Sequence, residues 1–213
     1  MGCCGQCVGI ENLFDDKTAK KDLKHYHKKG PLKGTKMLID EVSREGVEGL
    51  RLLDIGGGVG VIQHELVKKG VAAVDSVDGA SSYLAAAQRE ARRQGLPEIV
   101  SYRHGNFVAI APELEPADIV TLDRVICCFD DMPALVSASS DLANKIYAVV
   151  FPIDNWIIIN AMRVANLFLK IIRHQYRMFV HPTEKIEEII LGKGLKRKFY
   201  QRVGMWQVVV YTR

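Results

Sequence analysis

Cysteine is scarce and unevenly placed in this chain of 213 residues. There are five, with Cys3, Cys4 and Cys7 at the start and Cys127 and Cys128 inside. A secreted disulfide scaffold would be denser in cysteine and would spread it more evenly. The internal pair is therefore expected to be reduced and the protein cytoplasmic. The first fifteen residues lack an apolar run that could serve a secretory signal. A strong charge of one sign is also lacking. The formal net charge is +4, and without a dense basic block interleaved with aromatics, nucleic acid is not an expected partner. Cys4 and Cys7 have no second Cys-x-x-Cys to join them, and adjacent Cys127 and Cys128 do not easily share one metal. No metal is expected, although the leader cysteines with His25 or His27 form an alternative ligand set. Met1-Gly2 suggests acylation, but Gln6 stands where the myristoylation pattern needs Ser or Thr.

What is present is enough apolar material for one core. Hydrophobic residues make up 48% of the chain and charged ones 25%, as in an ordinary globular domain. Residues 1–16 read as a flexible leader without periodicity. Residues 17–49 read as an N-terminal helical cap, with helices over Thr18–Lys29 and Thr35–Glu45. Strand-like runs follow at Arg51–Ile55, Val71–Val77, Ile99–His104, Asp118–Leu122 and Lys145–Phe151. Helix-like stretches at Val59–Lys69, Ser81–Gln94 and Pro133–Leu142 separate them. Such alternation predicts an α/β fold with a parallel sheet covered by helices on both faces. A short helix at Thr183–Leu191, with Thr183 as its cap, precedes two closely joined strands, Arg197–Arg202 and Trp206–Tyr211. Strands so connected must be antiparallel. The expected architecture is a Rossmann-like, mostly parallel sheet ending in an antiparallel hairpin. Residues 50–151 form its core, 153–182 a helical lid and 183–213 the C-terminal helix and hairpin.

The central signal is Leu52-Leu53-Asp54-Ile55-Gly56-Gly57-Gly58-Val59-Gly60, at the end of a strand and the start of a helix. Gly56, Gly58 and Gly60 let the backbone turn tightly and approach a ligand. In an open α/β sheet, ligands bind at this end of the strands. The dinucleotide pattern G-x-G-x-x-G fails here, because its third glycine would fall on Val61 or Gln63. Asp54 instead stands two residues before the first glycine. A carboxylate would repel a pyrophosphate but attract a cationic amino-acid group. S-adenosylmethionine, with its ammonium and sulfonium, suits that charge better than NAD or FAD. Asp78, eighteen residues past Gly60 at the end of the second strand, is placed to accept bonds from ribose hydroxyls. Asp75 is its rival but lies within the strand.

The run Leu52–Gly60, with Val77-Asp78-Gly79-Ala80-Ser81 and Tyr83-Leu84-Ala85-Ala86-Ala87, resembles the class I S-adenosylmethionine-dependent methyltransferases. Gly105-Asn106-Phe107 is similar to that family's Gly-Asp-Phe motif, with Asn106 in place of the acid, and residues 117–125 resemble its fourth strand. The resemblance covers about residues 50–151, and within the family it leans toward small-molecule O-methyltransferases of the magnesium-protoporphyrin type. It implies a seven-stranded sheet with the last strand inserted antiparallel. It also implies S-adenosylmethionine as cofactor and a small acceptor, with Asn106 and Phe107 at the adenine. Asp123 and Arg124, at the end of the fourth strand, are expected at the active-site rim, with a surface ion pair as the alternative. Asp54, Gly56, Gly57, Gly58, Gly60, Asp78, Gly79 and Ala80 complete the expected cofactor set, with Tyr26 as a cap from the N-terminal helix.

An oxygen acceptor needs its proton removed, and candidate bases are His181, His174, Tyr176 and Asp123. His181 is the first choice because it follows the expected lid. The segment 155–180 carries Asn160, Arg163, Asn166, Lys170, Arg173 and Arg177 at steps of three and four, a polar, basic stripe on an apolar helix. Three readings stay open for it: a helix packed on the sheet, a lid over a hydrophobic acceptor, or weak contact with a membrane surface. A non-catalytic cofactor-binding module and a nicotinamide-dependent oxidoreductase remain the alternative functions. Oligomeric state has no signature in the sequence.

Overall fold

The computed structural model describes residues 5–96 and 98–213. The leader calls on Cys3 and Cys4 therefore lie outside the described residues. Helices α1 (Gly5–Leu13), α2 (Asp16–Lys29) and α3 (Lys33–Arg44) precede the sheet. Then follow β1 (Arg51–Ile55), α4 (Val61–Val67), β2 (Ala73–Asp78), α5 (Ser81–Arg93), β3 (Val100–His104), α6 (Phe107–Ile110) and β4 (Ala117–Asp123). The chain continues with α7 (Met132–Asp141), β5 (Ala143–Pro152), α8 (Trp156–Ile171), α9 (Thr183–Gly192), β6 (Lys196–Val203) and β7 (Trp206–Thr212).

The seven strands lie in the order β3-β2-β1-β4-β5-β7-β6. The first five are mutually parallel, and β7 runs antiparallel between β5 and β6. Successive strand residues point to opposite faces, and the cores divide accordingly. Leu53, Val120, Val149 and Val209 face a layer holding Leu135, Ile186 and Ile190 of α7 and α9. Leu52, Ile119, Val150 and Val208 face Leu38, Val42, Ile62 and Leu66 of α3 and α4. A third cluster, with Ala19, Tyr83 and Ala86, fastens α2 to α5.

Three expectations change at this level. Much of the stretch read as a leader is α1, which docks on the body. The segment 155–180 is helical only to Ile171, and no residue of α8 is buried, so the helix does not pack into the sheet with only its basic face in water. Thr183 is the first residue of α9, not its cap. Its N–H and hydroxyl both donate to Asp154, at 3.0 and 2.8 Å.

Candidate active site

The strand order reverses between β1 and β4, and there the carboxyl ends of β1 to β4 open a crevice, the usual ligand site of such sheets. A cavity of about 240 Å³ occupies it. Its wall includes Ile55, Gly56, Val77, Gly79, Asn106, Phe107, Val125 and Phe129.

The loop after β1 is shaped by close approach. Gly56 has φ +63°, and a Cβ there would lie 2.4 Å from a methyl of Val125. A Cβ on Gly57 would lie 2.5 Å from Asp54 Oδ2. Asp54 thus sits directly beneath the loop, fully buried. Its Oδ1 accepts from the Thr121 hydroxyl at 2.7 Å, and its Oδ2 is buried without a partner. Burial, reinforced by Asp123 and Asp78, pushes this carboxyl up to about 7. The orphaned oxygen, an acceptor in a dry place, suits a cationic donor arriving above the loop.

Asp78 ends β2. Its Oδ2 accepts from Gly58 N–H at 2.9 Å and its Oδ1 from Ala80 N–H at 2.8 Å. Burial pushes it up to about 6 against the lowering effect of these two bonds. Each oxygen keeps a further lone pair for a ligand hydroxyl. Asp75 is spoken for, since Arg51 pairs with it at 2.5 Å. Gly60 caps α4 with φ +86°, and Ala80 is the buried N-cap residue of α5. Asn106 is both cap and wall: its Oδ1 accepts from Val108 N–H at 3.0 Å, while the residue lines the cavity beside Phe107.

Other expected site residues stand elsewhere. Tyr26 is turned to α4, its hydroxyl donating to Glu65 at 2.5 Å, and it does not line the cavity. Asp123 lies behind the rim, held by the Thr35 hydroxyl at 2.6 Å and by Arg124 at 3.1 Å. Arg124 has φ +62°, a strained conformation for a residue with a side chain. Its N–H is anchored on Val150 O at 2.8 Å. His181 Nε2 lies 2.8 Å from Phe129 O, so that nitrogen carries the proton and donates it. Burial pushes the imidazole below its ordinary value, and the ring stacks on Phe179. His174 Nδ1 accepts from Tyr176 N–H. The Tyr176 hydroxyl meets Cys128 Sγ at 3.0 Å, and burial pushes that phenol up. Cys128 lines the cavity and Cys127 is buried beside it.

Sequence reasoning missed the cover. Cys7, Val8, Ile10, Glu11 and Asn12 of α1 close one side of the cavity. The Gln6 amide pairs with backbone, donating to Cys128 O and Arg177 O at 2.8 Å each and accepting from Arg177 N–H at 2.9 Å. Glu11 accepts from Ser81 N–H at 3.1 Å and from its hydroxyl, and meets His104 Nε2 at 2.9 Å. Burial alone would raise this carboxyl, but the Ser81 and His104 bonds hold it below its usual range. Gly9 abuts the backbone of Tyr176 so closely that only glycine fits. That glycine, midway in a helix, was the one available signal.

A doubly wound sheet with order 3-2-1-4-5-7-6, a glycine loop after β1 and acids within β1 and at the end of β2 make up the arrangement that the resemblance to class I methyltransferases implied. Residues 52–145 match the family described as a methyltransferase domain. Ubiquinone biosynthesis O-methyltransferase of Rhodopseudomonas palustris (strain BisB5) is 32% identical over 156 residues, covering 70% of this chain and 59% of that protein. The protein of the same name from Paracidovorax citrulli (strain AAC00-1) is 29% identical over 154 residues, covering 65% and 60%. The chain thus spans about three fifths of the length of these relatives. Magnesium protoporphyrin IX methyltransferase from Synechocystis PCC 6803, solved with bound SAH, has the same fold. The TM-score is 0.74 at 15% identity, covering 98% of this chain and 99% of that one.

Proposed function

We propose that the protein binds S-adenosylmethionine in this cavity and transfers its methyl group to an oxygen of a small, hydrophobic acceptor. The observation that carries the reading is electrostatic. Two buried carboxylates, Asp54 and Asp78, flank the glycine loop, and among the described residues no Lys or Arg lines the cavity. A dinucleotide pyrophosphate would meet two acids there and no Lys or Arg to pair with, whereas an ammonium and a sulfonium are favoured.

When bound, the cofactor supplies an electrophilic methyl for in-line displacement. The chain's part is to hold and align. Asp78 accepts the ribose hydroxyls, and Asn106 and Phe107 bracket the adenine with Gly79 and Ala80. Asp54 faces the ammonium through the loop Gly56-Gly57-Gly58, with Gly60 starting the helix behind it. Ile55, Val77, Leu135 and Phe129 keep the cavity dry. In this reading His181 and Asp123 are positioning residues: His181 holds the Phe129 backbone, and Asp123 fixes Arg124 and Thr35 at the rim. The oxygen acceptor follows from the names of the two sequence relatives and the apolar wall. A small acceptor, rather than nucleic acid, also fits a cavity wall that holds no Lys or Arg among the described residues.

Calorimetric titration with S-adenosylhomocysteine tests the reading. The wild type binds at micromolar concentration, and Asp78→Ala binds about 10- to 100-fold more weakly, the loss of hydrogen bonds to a charged group. A silent wild type refutes the proposal. Binding without S-adenosylhomocysteine production from any of a panel of lipophilic phenols would leave a binding module in place of an enzyme.

A further inference from the structure

Helix α8 wears its apolar side outward. Trp156 is 73% exposed, Val164 69%, Phe168 61% and Ile171 70%, with Ile157 and Leu167 above half. At about 100° per residue these six fall within about a third of the circumference. The opposite side, including Ile158, Met162 and Leu169, is half-buried against the protein. Asn166 fixes that orientation, because its amide donates to Met178 O at 2.7 Å and accepts from Met178 N–H at 2.9 Å. This is the reverse of a helix serving its own core; within the arc only Asn160 is polar, its amide turned back to Trp156 O at 2.8 Å, and an exposed apolar face of this kind marks an interaction site.

The charge around the face identifies the partner. Arg163 and Lys170 flank it and Arg173 follows it, all exposed, and no Asp or Glu occurs from 155 to 182. Two copies meeting through this face would bring these cations together with no acid on the segment to pair them. A lipid surface with anionic headgroups neutralises them and takes the apolar side chains into its outer layer. At sixteen residues the helix is about 24 Å long, short of the roughly 30 Å hydrocarbon core. Among the described residues no helix is long and apolar enough to cross a membrane. We propose that α8 docks, apolar face down, along the surface of an anionic bilayer. The connection after α8 runs straight to the cavity rim, where Phe179 N–H donates to Cys127 O at 2.8 Å and His181 meets Phe129 O. Docking therefore sets the rim near the phase in which a hydrophobic acceptor dissolves. That consequence rests on the methyltransferase reading, whereas the docking does not.

The test is sedimentation of the full chain with vesicles of phosphatidylcholine alone and with about a third phosphatidylglycerol added. The protein sediments with the anionic vesicles and binds the neutral ones about 25-fold more weakly, roughly fivefold for each of Arg163 and Lys170. Leu167→Glu with Phe168→Glu abolishes binding while circular dichroism and S-adenosylhomocysteine affinity stay as in the wild type. Quenching of tryptophan fluorescence by brominated lipid disappears in Trp156→Phe. Equal binding to both vesicles, or binding that survives the double glutamate variant, overturns the proposal. So does a dimer, dissolved by that variant, in a protein that ignores vesicles: the face would then belong to a second copy. A chain that binds anionic vesicles but no S-adenosylhomocysteine upholds the docking and refutes the enzyme reading.

Discussion

Replacing Gly9 by alanine should loosen α1, although alanine is the better helix former. Propensity alone favours the substitution by about 1 kcal/mol. The new Cβ, however, would lie 2.3 Å from Tyr176 N, 2.6 Å from its Cα and 2.7 Å from the carbonyl carbon of Gln175. These are backbone atoms and cannot swing aside, and non-bonded carbon contacts need about 3.5 Å. The helix must therefore retreat by about 1 Å. Retreat stretches the three Gln6 hydrogen bonds, which now measure 2.8, 2.8 and 2.9 Å, beyond useful length. At about 1 kcal/mol each they are worth about 3 kcal/mol. Against the propensity gain, the net loss is about 2 kcal/mol, or about thirtyfold in the local opening equilibrium. A helix of nine residues is too short to persist undocked, so opening is unfolding and is visible by hydrogen exchange. Amides of 5–13 should exchange about thirtyfold faster in Gly9→Ala, while the strands exchange as before. Gln6→Ala, which removes the same bonds without the clash, should behave alike. Equal or greater protection in Gly9→Ala would refute the close approach on which the cover depends.

Two further outcomes are expected. Asp54 is raised to about 7 when folded, against about 3.9 in an unfolded chain. The native state thus keeps its proton longer, and this group's contribution to stability is complete below about pH 4 and lost as pH rises through about 7. Asp54→Asn should flatten the fall in urea-denaturation free energy over that window by up to about 4 kcal/mol, and an unchanged slope counts against a buried, unpaired carboxylate. His181→Ala should lower stability by about 1–3 kcal/mol, having left the Phe129 carbonyl without its donor, while turnover at saturating cofactor keeps its pH profile. A hundredfold fall in turnover with loss of the acidic limb would instead make His181 a general base.

The sheet was legible because its signals are local. Apolar runs such as Arg51–Ile55 and Lys145–Phe151 stay strands in any context, and the failed third glycine at Val61 narrows the ligand by spacing alone. Asp54, Asp78 and Asn106 could be located for the same reason: each stands near the end of a strand or at the start of a helix. Tyr26 could not be placed, because a helix pattern shows which face is apolar but not which neighbour it meets. Its hydroxyl goes to Glu65, thirty-nine residues away. The role of α1 was hidden more deeply. Its sequence has almost no amphipathic contrast, and it docks through backbone pairing by Gln6 and through the missing side chain of Gly9. The apolar face of α8 was legible but left among three readings, because a helical pattern does not show what such a face meets.

The cover and the rim are one structure. Gln6 holds the carbonyls of Cys128 and Arg177 together, Tyr176 meets Cys128 Sγ, and Phe14 sets its ring edge-on to both Tyr83 and Tyr176. The loop after β4, helix α1 and the connection after α8 therefore meet at Cys128, on the cavity wall. None of these contacts belongs to the sheet. Elements held mainly by a few polar bonds and little buried apolar surface open first, so α1 is expected to open before the sheet, over the proposed ligand site. A ligand as large as the proposed cofactor would enter where Gln6 lets go, and only residues 172–176 join α8 to Arg177, which Gln6 grips. Any force that shifts α8, including a surface taking up Trp156 and Phe168, acts on that grip before it acts on the sheet.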